Sequence, residues 1–272
     1  MSELPKSKKK RPAGAGRPGP GGFASSSFVP RDPEVTTELV LQLSAEVLPT
    51  TGLAVWYLGL TAHHRSDRCL TASLVLELAM RVLGLDARTV ACTLDVPWAV
   101  DGNVRYGSRN PRFDRGRLVG HTVVLVGGLL LDPTASQFPE LGAEVGSGPL
   151  TGSFDGDLDV VVRCGAQVRV RLGSGRQVVY RVLPEGATTR IVRRVLDTDD
   201  DAIVAAVYNL LSTYSAALTA LPESVVAQVR HVCPLLAAKI DATRGSEATT
   251  VGPDQVRARR ELEHETVGVH DG

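Results

Sequence analysis

A chain of 272 residues with 43% hydrophobic and 22% charged residues has the make-up of an ordinary globular protein and is long enough to bury an adequate core. Its 30 Lys/Arg balance 30 Asp/Glu, and seven of the basic residues fall in 1–31 beside the single Glu3, so the remainder is acidic by six and lacks a nucleic-acid binder's basic stripe. Four well-separated cysteines (Cys69, Cys92, Cys164 and Cys233), with no Cys-x-x-Cys spacing, exclude the usual zinc knuckles and do not make a disulfide framework.

The cysteines read as reduced thiols. A Pro/Gly tract follows the basic N-terminus where a signal peptide needs an apolar segment, and no uninterrupted apolar stretch reaches membrane-spanning length. A cytoplasmic protein with no membrane partner is therefore expected. Residues 1–31 are rich in Lys, Pro, Gly and Ser and are expected to be a disordered basic tail. Its Lys8-Lys9-Lys10-Arg11 run is the one place where nucleic acid would bind, though a solubilising role fits the composition better. One domain is expected over 32–242 and a flexible C-terminal tail over 243–272, with a short frayed helix around Pro253–Glu265.

Within that domain Asp32-Pro33 starts a helix, and Val35, Leu39, Val40, Leu43 and Val47 continue it at helical spacing until Pro49 and Gly52. A short helical or extended segment covers Leu53–Leu60. Cys69–Leu83 has apolar residues at helical spacing and Gly84 at the C-cap position, with Ser66 or Asp67 as cap. Ala87–Val96 reads as a strand and 97–118 as a long polar loop. Val119–Val126 and Leu129–Leu131 form a hairpin about Gly127-Gly128. After a Gly-rich connection, strands are expected at 158–163, 166–172 and 176–183, the last two joined by Gly173-Ser174-Gly175. Arg163, Arg169, Arg171, Arg176 and Arg181 alternate there with Val and Leu, as on a solvated sheet face. Helices at about 199–220, opened by Asp199-Asp200-Asp201, and at 222–240, opened by Pro222-Glu223, close the domain.

The chemistry sits in three distant residues. A cysteine nucleophile acts as thiolate, and the unpaired N–H groups at a helix start lower its pKa; Cys69 stands there, directly after polar residues. Cys92, Cys164 and Cys233 fit the role of small buried hydrophobes, the first two on strand candidates. A base must come from another element. His121 lies 52 residues later at the start of a Val-rich strand, and the hairpin returns the chain at Asp132, which would accept the imidazole N–H and stabilise the imidazolium. Cys69, His121 and Asp132 thus make a candidate Cys-His-Asp triad needing no cofactor and no metal. A histidine satisfied by backbone and a plain Asp-Pro turn are the bland alternatives for His121 and Asp132. Oxyanion donors would be the Cys69 N–H and a side chain from an earlier segment: His64, Thr61 or Trp56, core packing being the stronger expectation for Trp56. Gln137 is a candidate for lining the pocket.

The run Cys69-(helix)-Leu83-Gly84-Leu85-Asp86-Ala87-Arg88, followed by Gly120-His121 and Leu131-Asp132-Pro133-Thr134, resembles the transglutaminase-like branch of papain-fold cysteine hydrolases. That branch includes the leader-cleaving peptidase of lasso-peptide maturation, acyl transferases and deamidases. The resemblance covers about residues 60–140; Leu70 and Val123 stand where the family often has aromatic residues. It implies an α+β fold, in which the Cys-bearing helix packs on an antiparallel sheet with two helices after it. It also implies a peptidase, amidase or acyl transferase acting through an acyl-enzyme on a peptide or protein substrate. The contrasting expectation is an inactive papain-fold binding or scaffold protein carrying a basic tail.

Overall fold

A computed structural model describes residues 33–61, 68–98, 102–146 and 148–245. The two expected tails, apart from Thr243, Arg244 and Gly245, and the cap residues Ser66 and Asp67 lie outside these segments. Helix α1 (Pro33–Leu41) is followed by turns and a π-helical turn over Leu48–Gly52 that runs into α2 (Leu53–Thr61). The expected continuation of α1 to Val47 does not occur. Val40, Leu48 and Leu53 reach one core through turns, closed by the Val47 carbonyl accepting the Gly52 N–H at 2.9 Å.

Helix α3 (Cys69–Val82) ends where Gly84, at φ +84°, lets the Leu85 N–H return to the Met80 carbonyl at 3.0 Å. Strand β1 (Ala87–Trp98) follows. The expected 97–118 loop instead holds β2 (Gly102–Gly107) and a small hairpin of β3 (Arg112–Asp114) and β4 (Arg117–Val119). Asn, Arg and Gly dominate this stretch, and its exposed side chains hide the strand pattern. Next come β5 (His121–Val126) and β6 (Leu129–Asp132), joined by Gly127 and Gly128 at φ +54° and +80°, as a two-residue hairpin turn requires. A 3-10 turn (Ala135–Gln137), α4 (Pro139–Val145) and β7 (Leu150–Ser153) lead to α5 (Leu158–Cys164).

The α5 segment was expected as a strand for its Val run, but capping decides otherwise. The Asp157 carboxylate accepts the Val160 N–H at 3.1 Å, and Gly165 ends the helix at φ +78°. Arg163 and Cys164 are therefore helical, and Cys164 is exposed rather than buried in a strand. Strands β8 (Ala166–Arg171) and β9 (Gln177–Val182) do alternate as expected, with Arg169, Arg171 and Arg181 exposed and Arg176 in the connecting segment.

Helix α6 (Glu185–Ala217) starts well before the expected position. The Asp199–Asp201 run lies at a kink within it where Asp199 leaves helical geometry (φ −128°, ψ 19°), so it opens the second of the two helical segments that meet there, as expected. The predicted 222–240 helix is two, α7 (Glu223–Val232) and α8 (Pro234–Arg244). Pro234 has no N–H to continue the ladder and drives Cys233 to φ −144°, ψ 83°.

The architecture is α+β. All strand pairs are antiparallel, in the order β7-β6-β5-β1-β9-β8. Strand β2 joins the edge of β1 that also pairs β5, so Gly107 opposite Thr93 abuts His121 opposite Cys92. Val124 opposes Leu131, which sets His121 and Asp132 on the same face of the hairpin. Alternation divides the core in two. On one face Ala91, Val124 and Leu131 pack with α2, α3, α6, α7 and α8; on the other Cys92, Val123, Leu130 and Tyr180 pack with Phe138, Leu141 and Val161. Gly152 of β7 has no side chain where Val170 of β8 lies against it, so the outer strands meet and the sheet curls around the second core.

By length and composition alone, one described helical stretch, Glu185–Ala220, is long and apolar enough to cross a membrane. Its apolar residues Ile203, Val204, Val207, Leu210 and Leu211 are buried, and the helix packs on α3 and β1.

Candidate active site

The site assembles where the first turn of α3 meets the start of β5. Arg68 precedes the helix with no side-chain cap hydrogen bond, and the first helical bond after it is from the Ala72 N–H to the Arg68 carbonyl at 2.9 Å. The amides of Cys69, Leu70 and Thr71 therefore precede the first helical bond and form the partly positive helix end. Cys69 is 5% exposed and belongs to neither apolar core. His121 and Asp132 are 2% and 0% exposed, and His121 Nε2 lies 2.7 Å from Asp132 Oδ2. The remaining ring nitrogen, Nδ1, is the one left for the Cys69 side chain, to which His121 hydrogen-bonds. The three predicted triad residues are thus brought together.

The carboxylate is held on both oxygens. Asp132 Oδ1 accepts the Thr134 N–H at 2.9 Å and the Thr134 hydroxyl at 3.2 Å, the turn that an Asp-Pro-Thr sequence allows. Asp132 Oδ2 accepts the Tyr180 hydroxyl at 2.8 Å as well as the imidazole. Phe138 meets the His121 ring edge-on, with centroids 5.1 Å apart, and Tyr106 stacks on Phe138 at 4.0 Å while its hydroxyl donates to Glu140. Sequence reasoning missed Tyr180, Tyr106 and the role of Phe138. Tyr180's one signal is its inward position on an alternating strand, which says nothing of a carboxylate 48 residues away.

Electrostatics favour charge separation. Burial alone would push the Cys69 thiol up; hydrogen bonds and attraction from His121, with hydrogen bonds from Thr122, outweigh it and hold the thiol below its ordinary value. Burial would likewise discharge His121, but the Asp132 carboxylate and the Cys69 sulfur raise its pKa to about 10. Burial would push the Asp132 carboxyl up too, and the imidazolium with Thr134 and Tyr180 keeps it low. All three shifts run toward charge separation, favouring thiolate, imidazolium and carboxylate over their neutral forms. Cys92, fully buried and cross-strand from His121, is kept protonated by burial and by the Asp132 and Cys69 charges.

The oxyanion candidates fare differently. Trp56 Nε1 donates to Thr213 Oγ1 at 3.0 Å in the interface of α2 and α6, so its indole is engaged in core packing. The Thr61 hydroxyl donates to the Tyr57 carbonyl of its own helix at 2.9 Å. His64 lies outside the described residues, as does the His63-His64 pair. Gln137 is half-buried on the 3-10 turn just before Phe138. Among the described residues no group of three or more His, Cys, Asp or Glu is placed to hold a metal ion.

No family model, no curated protein and no solved structure matches the chain.

Proposed function

We propose that this chain is a cysteine-dependent amide hydrolase or acyl transferase with a transglutaminase-like, papain-type core. The observation that carries the reading is the continuous chain from Cys69 through His121 to Asp132, with the sulfur at a helix N-terminus. In the forward step the Cys69 thiolate attacks a carbonyl carbon, forming a C–S bond and an oxyanion, toward which the N–H groups of the α3 first turn contribute positive potential. The His121 imidazolium gives its proton to the departing amine as the C–N bond breaks, leaving a thioester and a neutral imidazole. That imidazole then takes a proton from water or from an acceptor amine, which attacks the thioester and releases Cys69. Asp132 holds the ring tautomer and stabilises the imidazolium throughout. A peptide or protein carbonyl is the proposed substrate.

The burial of all three side chains favours a second reading, a papain-type binding protein in which the buried ion pair is structural. Acylation separates the two. Incubation with an activated ester is expected to add one acyl group to Cys69 by mass mapping, in a burst that Cys69→Ala and His121→Ala both abolish. Ester turnover indifferent to both substitutions, with Cys69 unmodified, would rule out the enzyme reading.

A further inference from the structure

The imidazole is one of two arms that reach the sulfur. Thr122, the next residue along β5, hydrogen-bonds Cys69 with both its side chain and its backbone N–H. One turn along α3 from Cys69, Ser73 stands on the same helix face, and its hydroxyl lies 3.2 Å from Thr122 Oγ1. Ser73 and Thr122 are fully buried. A buried hydroxyl has one proton to give, so the protons on this path are ordered by the acceptor at its end. With a thiolate as terminus, Ser73 donates to Thr122, and Thr122 donates to sulfur. Every polar atom is then satisfied.

We propose that Ser73 and Thr122 form a hydroxyl relay that holds the Cys69 sulfur as thiolate from the side opposite His121 and Asp132. Thr122 is the catalytic member, since it touches the reacting atom. Ser73 is a positioning residue that orients and polarises the Thr122 hydroxyl. Consecutive strand residues point to opposite faces, so His121 reaches the sulfur from the Asp132 face and Thr122 from the helix-covered face. The thiolate therefore keeps a hydrogen bond when the imidazolium leaves it to protonate the departing amine. The inference deepens the proposed function and rests on it for its catalytic meaning, but the relay itself is testable without turnover. Among the described residues, the titratable and charged groups near the sulfur include His121 from β5, Cys92 from β1 and Arg68 directly before α3, with Asp132 from β6 on the far side of His121 and Tyr180 from β9 behind Asp132.

The test is the pH titration of thiolate ultraviolet absorbance in the full-length chain, each protein read against its own Cys69→Ala counterpart. Wild type is expected to titrate below an ordinary thiol. Thr122→Val, which keeps the shape and removes the hydroxyl, is expected to raise the midpoint by about one unit, and Thr122→Ser to restore it. Ser73→Ala is expected to raise it by less, and to add nothing on top of Thr122→Val, because the relay is then already cut. A Thr122→Val midpoint equal to wild type, or a Ser73→Ala effect that persists in its absence, overturns the relay while leaving the triad. A wild-type midpoint of an ordinary thiol overturns both. If Thr122→Val does not fold, Ser73→Ala with Thr122→Ser decides: an unchanged Ser73→Ala midpoint overturns the relay.

Discussion

Asp132 is the most constrained residue of the site, because four donors share its two oxygens. Asp132→Asn keeps the shape but puts an N–H₂ where an acceptor is needed and removes the charge that keeps His121 protonated. Acylation of Cys69 should fall by roughly a thousand- to ten-thousand-fold, checked by the burst rate with the activated ester. Tyr180→Phe is milder. It withdraws one hydrogen bond from a buried carboxylate, at about 1.5–3 kcal/mol of stability in a denaturant titration, and leaves the imidazole contact in place. Much of this scale was open to reading in the chain itself. Cys69 after polar residues, His121 at a strand start and Asp132 closing a hairpin each follow from local spacing. Tyr180, Thr122 and Ser73 escaped because their roles are set by register and side-chain reach between elements.

At the scale of elements, the site depends on how closely β2 and β5 meet end to end along β1. Gly107, at φ +80°, makes that possible, since a Cβ there would lie 2.6 Å from the Cys92 carbonyl oxygen and 3.1 Å from His121 Cβ. Gly107→Ala should destabilise the fold by roughly 1–3 kcal/mol and slow Cys69 acylation by displacing His121, measured by thermal melting alongside the burst rate. Gly102→Ala, also at positive φ but with nothing within 4 Å, is the control that shares the strain without the clash. Element identity was legible where periodicity and punctuation agreed, as in Cys69–Val82 with Gly84 and in the Gly127-Gly128 hairpin. It failed where caps overrode propensity. Asp157 and Gly165 turned a Val run into α5, and Pro234 split a periodic segment into α7 and α8.

For the whole molecule, the buried ion pair sets how stability follows pH. His121 is raised from an unfolded value of 6.5 to about 10, so its contribution is full below pH 6.5 and lost as pH rises through 10. Cys69 is lowered from an unfolded value of 9.0, so its contribution is full above pH 9 and lost as pH falls through the folded value. Between the folded Cys69 value and pH 9 the two trends oppose, because folding then moves a proton from thiol to imidazole without net uptake. Thermal midpoints of the wild type should therefore be nearly flat across that window. Cys69→Ala should unmask the histidine and make stability fall as pH rises through it; parallel curves for the two proteins would contradict the pairing. This balance was not readable from composition, since a chain with no net charge gives no sign of two opposite charges buried together.

The proposed chemistry requires His121 to be an imidazolium at neutral pH, held between a thiolate and a carboxylate. Nitrogen-15 NMR of the His121 ring across pH tests it without substrate. Both ring nitrogens are expected to be protonated at neutral pH, losing a proton only near pH 10, and earlier in Cys69→Ala. A neutral ring at pH 7, titrating near the ordinary histidine value in both proteins, would contradict it.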